Sequence, residues 1–229
     1  MKNIVLITAA GKGTRLVGTG IPKQFLRVRG KPILIYSAEA FNKNELIDEI
    51  YIVTSKEYIE EVERICRQYN INKLKGVVEG GQTRQQSVFN GIIALKSHGT
   101  QDDDIILIHD GARPLVDDYI INLNIHACEQ YNAVETVIPL TDTVVRSSNG
   151  QIVDEVPDRN ELFQVQTPQT FKFKLIYDAH KRFENLQLAT DDAQLVHNMG
   201  KTVHLVEGNK KNLKITTIED LNIFNLLIE

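Results

Sequence analysis

The sequence contains no tryptophan, only two cysteines and no long run of uncharged apolar residues. Cys66 and Cys128 form neither a close pair nor a spacing typical of metal ligands, so a reducing compartment is the simplest interpretation. No stretch approaches the roughly 18 apolar residues needed to cross a bilayer. The short apolar run over residues 2–10 leads directly into a glycine-containing loop, which fits a buried first strand better than a signal peptide. We therefore expect a cytoplasmic protein with no membrane partner.

Basic charge is also scarce. The chain has 26 lysines and arginines against 30 aspartates and glutamates, which gives a formal net charge of −4. Proteins that bind nucleic acids usually carry a basic face or tail. Because neither stands out here, we expect no nucleic-acid partner. Anionic small molecules remain possible substrates, since a few arginines and lysines suffice to hold a phosphate group.

The composition is that of an ordinary globular protein, with 42% hydrophobic and 24% charged residues and no Pro/Gly/Ser-rich linker, so we expect residues 1–229 to form a single domain. Short runs rich in isoleucine and valine alternate with longer amphipathic stretches, which predicts an α/β fold with a Rossmann-like, doubly wound, mostly parallel sheet. The predicted strands are Asn3–Thr8, Glu49–Thr54, Leu74–Glu79, Asp104–His109 and Val134–Pro139. The predicted helices between them are Ile33–Phe41, Ser55–Tyr69, Arg84–Lys96 and Asp118–Tyr131. In such sheets ligands bind at the carboxyl ends of the strands.

The second part of the chain changes character. Residues 143–148 and 151–156 alternate between apolar and polar side chains around Asn149-Gly150, a pair typical of a type I′ hairpin turn. This predicts a β-arm that projects from the sheet at about residues 141–157. The remaining predicted elements are helices at Phe173–Glu184 and Asp191–Met199, strands at Thr202–Val206 and Leu213–Thr216, and a last helix from Thr217 onward.

A loop of small residues follows the first strand, with the sequence Thr8-Ala-Ala-Gly-Lys-Gly-Thr-Arg15. Glycine and alanine let backbone N–H groups approach a triphosphate closely, and Arg15 adds positive charge. Lys23 adds a second positive charge a few residues later. The loop has neither the spacing of a P-loop nor the third glycine of the dinucleotide-binding fingerprint. A tight turn with solvated basic side chains explains it about as well, but the two cations favour phosphate binding.

Further motifs follow in a distinctive order. They are Gly80-Gly-Gln-Thr-Arg-Gln-Gln-Ser-Val88, His109-Asp-Gly-Ala-Arg-Pro114, Asp142-Thr143, Asp158-Arg-Asn160, Gln166-Thr-Pro-Gln169, Thr190-Asp-Asp192 and Asn212-Leu-Lys-Ile-Thr216. Each motif is weak alone, but the ordered set resembles the 2-C-methyl-D-erythritol 4-phosphate cytidylyltransferase family over nearly the whole chain. This resemblance implies a nucleotidyltransferase-type fold. It also implies transfer of CMP from CTP to a polyol phosphate, with release of pyrophosphate, in the non-mevalonate pathway to isoprenoid precursors.

The resemblance also implies residue roles. Arg15, Lys23 and Lys214 would contact the triphosphate and act in catalysis, and Asp110 would hold a magnesium ion, Mg2+. The CTP pocket would comprise Ala9, Ala10, Gly11, Gly13, Gly81, Gln82, Ser87 and Gly111. The acceptor would be bound by Arg113, Thr143, Arg159, Thr190 and Asp191. The family further implies a homodimer in which the β-arm of one subunit carries residues, Arg159 among them, into the active site of the other.

Plainer explanations exist for several of these residues. Asp110 could be a turn carboxylate, Thr190 a helix N-cap and Lys214 a surface lysine. His109 is better explained by packing or hydrogen bonding than as a base. No Ser-His-Asp or Cys-His set is evident, and an acceptor phosphate that is already ionised needs no strong base to attack the α-phosphorus of CTP.

Three alternative functions stay open. A ribitol 5-phosphate cytidylyltransferase is the nearest, because Pro157 and the segment Arg159-Asn-Glu161 are similar to that subgroup. The Asp110-Gly-Ala-Arg-Pro segment, Asp158-Arg159 and the doubled aspartate at 191–192 favour the erythritol enzyme. The others are a sugar-1-phosphate nucleotidyltransferase that uses another base, and a non-catalytic, dimeric nucleotide-binding scaffold.

Overall fold

The computed structural model describes residues 1–11, 22–184 and 189–228. Its strands are β1 (Asn3–Thr8), β2 (Arg27–Val28), β3 (Lys31–Pro32), β4 (Glu49–Thr54), β5 (Leu74–Glu79), β6 (Ile105–Asp110), β7 (Ala133–Pro139), β8 (Phe163–Lys172) and β9 (His204–Glu207). Its α-helices are α1 (Ile33–Lys43), α2 (Ile59–Gln68), α3 (Arg84–Ser97), α4 (Asp118–Tyr131), α5 (Phe173–Arg182), α6 (Asp192–Asn198) and α7 (Ile218–Leu227). Short 3-10 helices occur at Lys23–Phe25, Lys56–Tyr58 and Arg159–Glu161.

Seven strands form one mixed sheet in the order β5-β4-β1-β6-β8-β7-β9, and β2 and β3 form a separate small hairpin. Strands β5, β4, β1 and β6 are parallel, whereas β8 runs antiparallel to both β6 and β7. The register sets Thr8 beside Asp110 at the carboxyl ends of β1 and β6. Because parallel strands end at the same edge of a sheet, the loops after β1, β5 and β6 meet there.

Helices cover both faces of the sheet. Along β1, Val5 and Ile7 face α1, α2 and α4, while Ile4 and Leu6 face α3, α5 and α6, as the period of two in a strand requires. The two resulting cores are almost fully buried. Helix α3 lies very close to the sheet, because a Cβ atom at Gly91 would come 2.6 Å from Leu6 Cδ2. This close packing fixes the position of the α3 N-terminus at the strand ends.

The expected α/β class and mostly parallel sheet are confirmed, and three of the predicted strands, β1, β4 and β5, have the predicted bounds. The ten-residue strand β8 was not predicted. It contains Pro168, which cannot donate to a ladder. Residues 166–168 lie where neither neighbouring ladder forms a pair, so the strand tolerates the proline.

The predicted strand at Leu213–Thr216 is wrong. That segment is extended, but among the described residues it forms a single backbone-to-backbone hydrogen bond, from Ile215 N to Ala112 O (2.8 Å). A ladder would need the segment to lie along a sheet edge. Instead it crosses over the loop after β6, with Ile215 buried beside Phe224 of α7.

The predicted β-arm is only partly correct. Residues 141–157 are almost all exposed, but they form one isolated antiparallel bridge, Arg146–Glu155, and not two strands. The type I′ turn is wrong as well, because only Gly150 of the central pair has a positive φ (71°). The Asn149 side chain accepts hydrogen bonds from the backbone N–H groups of Gln151 and Ile152 (2.9 and 3.0 Å), which closes a wider loop.

None of the helices in the described ranges is long and apolar enough to cross a membrane.

Candidate active site

A cleft of about 700 Å³ opens at the carboxyl ends of β1, β5 and β6. Among the described residues, six segments line it: the end of β1 and the residues after it, the 3-10 helix at residues 23–25, residues 55–57 after β4, the loop between β5 and α3, the end of β6 with the residues after it, and the segment around residue 214. The charged lining groups in the part of the chain that the structure describes are Lys23, Lys56, Glu57, Glu79, Arg84, Asp110 and Lys214. The cleft therefore gathers cations from four distant parts of the sequence around one aspartate.

Asp110 ends β6 and lies among three cations. Its Oδ2 atom is 2.6 Å from Lys214 Nζ and 3.8 Å from Arg113 Nε, and its Oδ1 atom is 3.8 Å from Arg84 Nε. The Thr8 hydroxyl, from the neighbouring strand, lies 3.4 Å from Oδ1. Burial alone would raise the pKa of Asp110, but the charges of Lys214, Arg84 and Arg113 outweigh it and hold the pKa well below the usual range. The carboxyl group is therefore ionised at neutral pH.

Two lysines from distant parts of the chain, Lys23 and Lys214, line the cleft together. Lys23 Nζ donates to the backbone O of Ile215 (2.9 Å), and Ile215 N donates to Ala112 O just after β6. Lys23 is thus bonded to the residue that directly follows Lys214. Sequence reasoning predicted both residues at the triphosphate, and the structure brings them together in the cleft.

The loop that carries Lys214 is fastened by Asn212, which is fully buried. Its Nδ2 atom donates to Thr167 O (2.9 Å) and to Gln166 Oε1 (3.2 Å) on β8. Its backbone O accepts from Arg113 Nη1 (2.8 Å). Arg113 is itself buried, and it lies behind Asp110 and not in the cleft lining. Its contacts hold Asp110 and the Asn212 backbone from within the protein, and the predicted role of Arg113 in acceptor binding stays a prediction.

His109 precedes Asp110 and is fully buried. Its Nε2 atom lies 3.1 Å from Arg113 O and its Nδ1 atom 3.1 Å from Thr167 Oγ1, and the same hydroxyl accepts a hydrogen bond from Asp110 N. Burial lowers the pKa of His109 to about 4, so the ring is neutral at physiological pH. These contacts agree with the predicted packing and hydrogen-bonding role.

The loop between β5 and α3 forms the other wall of the cleft. Ser87 Oγ accepts from Gly81 N (3.0 Å) and donates to Thr83 O (2.8 Å), which fixes the turn before the helix. A Cβ atom at Gly80 would come 2.7 Å from Ala10 Cβ, so only glycine lets this loop approach the end of β1. The backbone groups of residues 80–82 consequently face the cleft close to Ala10.

The predicted acceptor residues are more dispersed. Asp191, and not Thr190 as the sequence suggested, is the N-cap of α6 and accepts from Gln194 N (2.8 Å). Thr143 and Arg159 lie in the exposed segment after β7 and do not line the cleft, and Arg159 Nη1 donates to Thr141 O (3.0 Å).

Among the predicted CTP residues, six line the cleft: Ala9, Ala10, Gly11, Gly81, Gln82 and Ser87. Gly111 is buried below it, where its N–H donates to Thr8 O (2.9 Å). Arg15 and Gly13 lie outside the described residues.

Sequence reasoning missed several residues of the site. Arg84 was quoted in a motif without a role, although a cation in the first turn of a helix that follows a strand-end glycine pair is a usable signal. Gln24, whose Nε2 atom donates to Ala9 O (2.6 Å), and Asn212 are buried polar residues that only the folded structure brings into contact with the site.

Comparison with known proteins agrees with this geometry. The sequence model of the 2-C-methyl-D-erythritol 4-phosphate cytidylyltransferase family matches residues 3–229. The chain belongs to this cytidylyltransferase family. It is 44% identical to a protein of that name from Clostridium botulinum (strain Okra / Type B1), over all of this chain and 98% of the relative.

One further relative and one solved structure extend this comparison. A ribitol-5-phosphate cytidylyltransferase from Lactiplantibacillus plantarum is 39% identical over 97% of both chains. The crystal structure of 4-diphosphocytidyl-2C-methyl-D-erythritol synthase from Anaerococcus prevotii superposes with a TM-score of 0.84 at 30% identity, over 99% of this chain and 96% of that one. The fold is therefore that of the cytidylyltransferases, and the subgroup resembling the ribitol enzyme lies close in sequence.

Glu135 on β7 makes the stability of the fold depend on pH. Burial and the nearby charge of Asp191 raise its pKa to about 7, although Gln169 Nε2 donates to it (2.6 Å). Between about pH 4.5 and 7 the unfolded chain releases this proton while the folded protein keeps it, so the carboxyl group lowers stability as the pH rises. We expect Glu135→Gln to lose less thermal stability than the wild type between pH 5 and pH 8 in melting curves.

The exposed Glu60→Gln substitution on α2 serves as the control for the change in net charge, and it should follow the wild-type curve. Parallel curves for Glu135→Gln and the wild type would contradict the raised pKa.

Proposed function

We propose that the protein transfers CMP from CTP to 2-C-methyl-D-erythritol 4-phosphate, with formation of 4-diphosphocytidyl-2-C-methyl-D-erythritol and pyrophosphate. The observation that carries this proposal is the cluster in which Lys214, Arg84 and Arg113 surround Asp110 at the floor of the cleft. Such a concentration of cations suits a triphosphate and a second phosphate, two anions that repel each other in water. Membership of the cytidylyltransferase family is our reason for choosing cytosine as the nucleotide base and a polyol phosphate as the acceptor.

CTP would lie between two walls. Its cytosine and ribose would occupy the side formed by Gly81, Gln82 and Ser87, where backbone N–H and C=O groups can distinguish cytosine from uracil by the polarity of the hydrogen bonds. Its phosphates would extend past Ala10 and Gly11 toward Lys23 and Lys214. The Lys214 ammonium, which forms an ion pair with Asp110 in this structure, would pair with the α-phosphate of CTP.

The reaction needs little from the protein besides charge and position. The acceptor phosphate is already ionised and attacks the α-phosphorus in line, while the bond to pyrophosphate breaks. Negative charge grows on the oxygens between Lys23 and Lys214, so both lysines stabilise the transition state. Arg15 would add to this charge from the N-terminal loop. The neutral, buried imidazole of His109 takes no part in proton transfer.

Magnesium fits this site as an ion shared with the substrate. The part of the chain that the structure describes has no cluster of three or more histidine, cysteine, aspartate or glutamate residues that could hold a metal by itself. Asp110 offers one ionised carboxylate on the cleft lining, and Mg²⁺ prefers one or two carboxylates together with phosphates and waters. When bound there, the ion would neutralise phosphate charge at the reacting centre.

The acceptor would be held by residues of two subunits. Thr190 and Asp191 would contact it from the segment before α6, with Arg113 supporting the site from within. Arg159 and Thr143 would reach it from the partner, since neither lines the cleft of its own subunit. The arm carries exposed apolar side chains, Val145, Ile152, Val153 and Val156 among them, which favours a homodimer that covers them.

Ribitol 5-phosphate is the second candidate acceptor, since the relative from Lactiplantibacillus plantarum is 39% identical over nearly the whole chain. We favour the erythritol acceptor because six of the relatives with 41–44% identity carry that name. We also infer that the protein works in the cytoplasm, in line with its two buried, unpaired cysteines.

Lys214→Ala tests the charge assignment. Removal of one group that stabilises transition-state charge costs about 100- to 1,000-fold in kcat, so we expect that loss in pyrophosphate release from CTP, Mg²⁺ and 2-C-methyl-D-erythritol 4-phosphate. Lys211→Ala, an exposed lysine three residues earlier, is the matched control and should retain wild-type turnover. Full activity of Lys214→Ala would overturn the assignment. Faster turnover of ribitol 5-phosphate by the wild type would reassign the acceptor.

Subunit mixing tests the role of the arm. Lys214→Ala and Arg159→Ala should each be nearly inactive alone. If Arg159 acts in the partner's site, a heterodimer of the two variants contains one site with both wild-type residues, so mixing should restore about a quarter of wild-type turnover in an exchanged population. No recovery, under conditions where exchange is verified by differential tagging, would mean that the arm serves its own subunit.

A further inference from the structure

Arg84 connects two carboxylates that belong to different parts of the site. It is the first residue of α3, directly after the loop that forms the nucleotide wall. Its Nη2 atom is 2.7 Å from Asp192 Oδ2, and its Nε atom is 3.8 Å from Asp110 Oδ1. About a third of the side chain, 31%, remains exposed at the cleft. One guanidinium therefore lies between the proposed metal-binding aspartate and the start of α6.

Asp192 is held in a fixed orientation. Its side chain is 1% exposed, its Oδ1 atom lies 3.0 Å from His180 Nε2, and its backbone N–H donates to Gln169 Oε1 on β8 (3.0 Å). The His180 ring stacks on Phe89 of α3 with centroids 5.8 Å apart. A charge this deeply buried is strongly destabilising unless it is paired, so Asp192 needs the arginine.

The two segments joined by this ion pair have different proposed partners. Thr190 and Asp191, immediately before Asp192, are the proposed acceptor contacts. Gly81 and Gln82, just before Arg84, are proposed CTP contacts. A second link runs in parallel, from Gln85 Nε2 to Phe183 O (2.9 Å) at the end of α5. The two walls of the cleft are thus tied together at the start of α3.

We propose that Arg84 is a positioning residue that holds Asp110 and Asp192 together and so couples binding of CTP to binding of the acceptor. An arginine suits this task because its planar fork reaches two carboxylates in fixed directions, whereas a lysine is a single point charge. Nucleotide bound against the loop before α3 fixes the guanidinium, and the guanidinium fixes the start of α6. This inference rests on the proposed function.

The coupling is measurable without turnover. The probes are the α,β-methylene analogue of CTP, which cannot transfer its CMP, and 2-C-methyl-D-erythritol 4-phosphate, each titrated by calorimetry with Mg²⁺ present. In the wild type we expect the analogue to tighten acceptor binding by at least about fivefold, the lower end of usual coupling factors. In Arg84→Met we expect that factor to fall close to one, with a change of less than about threefold in affinity for the analogue alone.

Further variants separate positioning from simple loss of fold. Arg84→Lys keeps the charge without the fork and should give an intermediate coupling factor. The double variant Arg84→Met/Asp192→Asn leaves no unpaired charge and should lose no more coupling than Arg84→Met, because both residues act through one contact. Arg64→Met, which breaks an exposed ion pair with Glu61 on α2, is the matched control and should behave as the wild type. Melting curves identify variants that do not fold.

The alternative is that Arg84 simply contacts the triphosphate. In that case Arg84→Met would weaken binding of the CTP analogue by about tenfold or more, typical of a lost charge-assisted contact, and leave the coupling factor unchanged, which would overturn the inference. If Arg84→Met changed neither the coupling factor nor the affinity for the CTP analogue, that result would also overturn the inference. A different result would contradict the proposed function itself. The wild type would then release no pyrophosphate with CTP and either polyol phosphate.

Discussion

A carboxylate that is almost buried at the end of a strand stays ionised only if positive charge lies next to it. Asp110 meets this condition through three cations, Lys214, Arg84 and Arg113, that come from three separate segments. The cations also depend on the carboxylate, since three positive charges so close together would repel one another without it. The shape of the cleft follows from this balance, because each segment that supplies a cation also forms a wall or a support. Under the proposed function, a substrate that brings phosphates and a metal ion would rearrange the same charges.

The fold makes the convergence possible. Parallel strands β1 and β6 end side by side, and their register sets Thr8 next to Asp110. The antiparallel strand β8 then adds what a purely parallel sheet would lack: its residues 166 and 167 bind Asn212 and so fix the loop that ends in Lys214. The charges around Asp110, the loop before α3 and the start of α6 are therefore held by hydrogen bonds to the sheet itself, which would limit the rearrangement that the proposed reaction requires.

Much of this could be predicted from the sequence, for physical reasons. Buried parallel strands are runs of β-branched residues, so β1, β4 and β5 were found with their bounds. Lys23, Asp110 and Lys214 were found through motifs, and they do meet in the cleft. Strand β8 was missed because Pro168 and the polar residues beside it do not read as a strand. The Asn149-Gly150 pair predicted the turn of a regular hairpin, but the Asn149 side chain binds the backbone ahead of it and opens a wider loop. Asp192, Asn212 and the structural role of Arg113 depend on partners distant in sequence, which local patterns cannot supply.

The most direct test of the central claim is a crystal structure of the protein with Mg²⁺ and the α,β-methylene analogue of CTP. We expect that the cytosine lies against residues 80–87, that the triphosphate passes between Lys23 and Lys214, and that the Lys214 ammonium has moved from Asp110 to the α-phosphate. A triphosphate bound away from Asp110, with Lys214 still paired to that carboxylate, would contradict it.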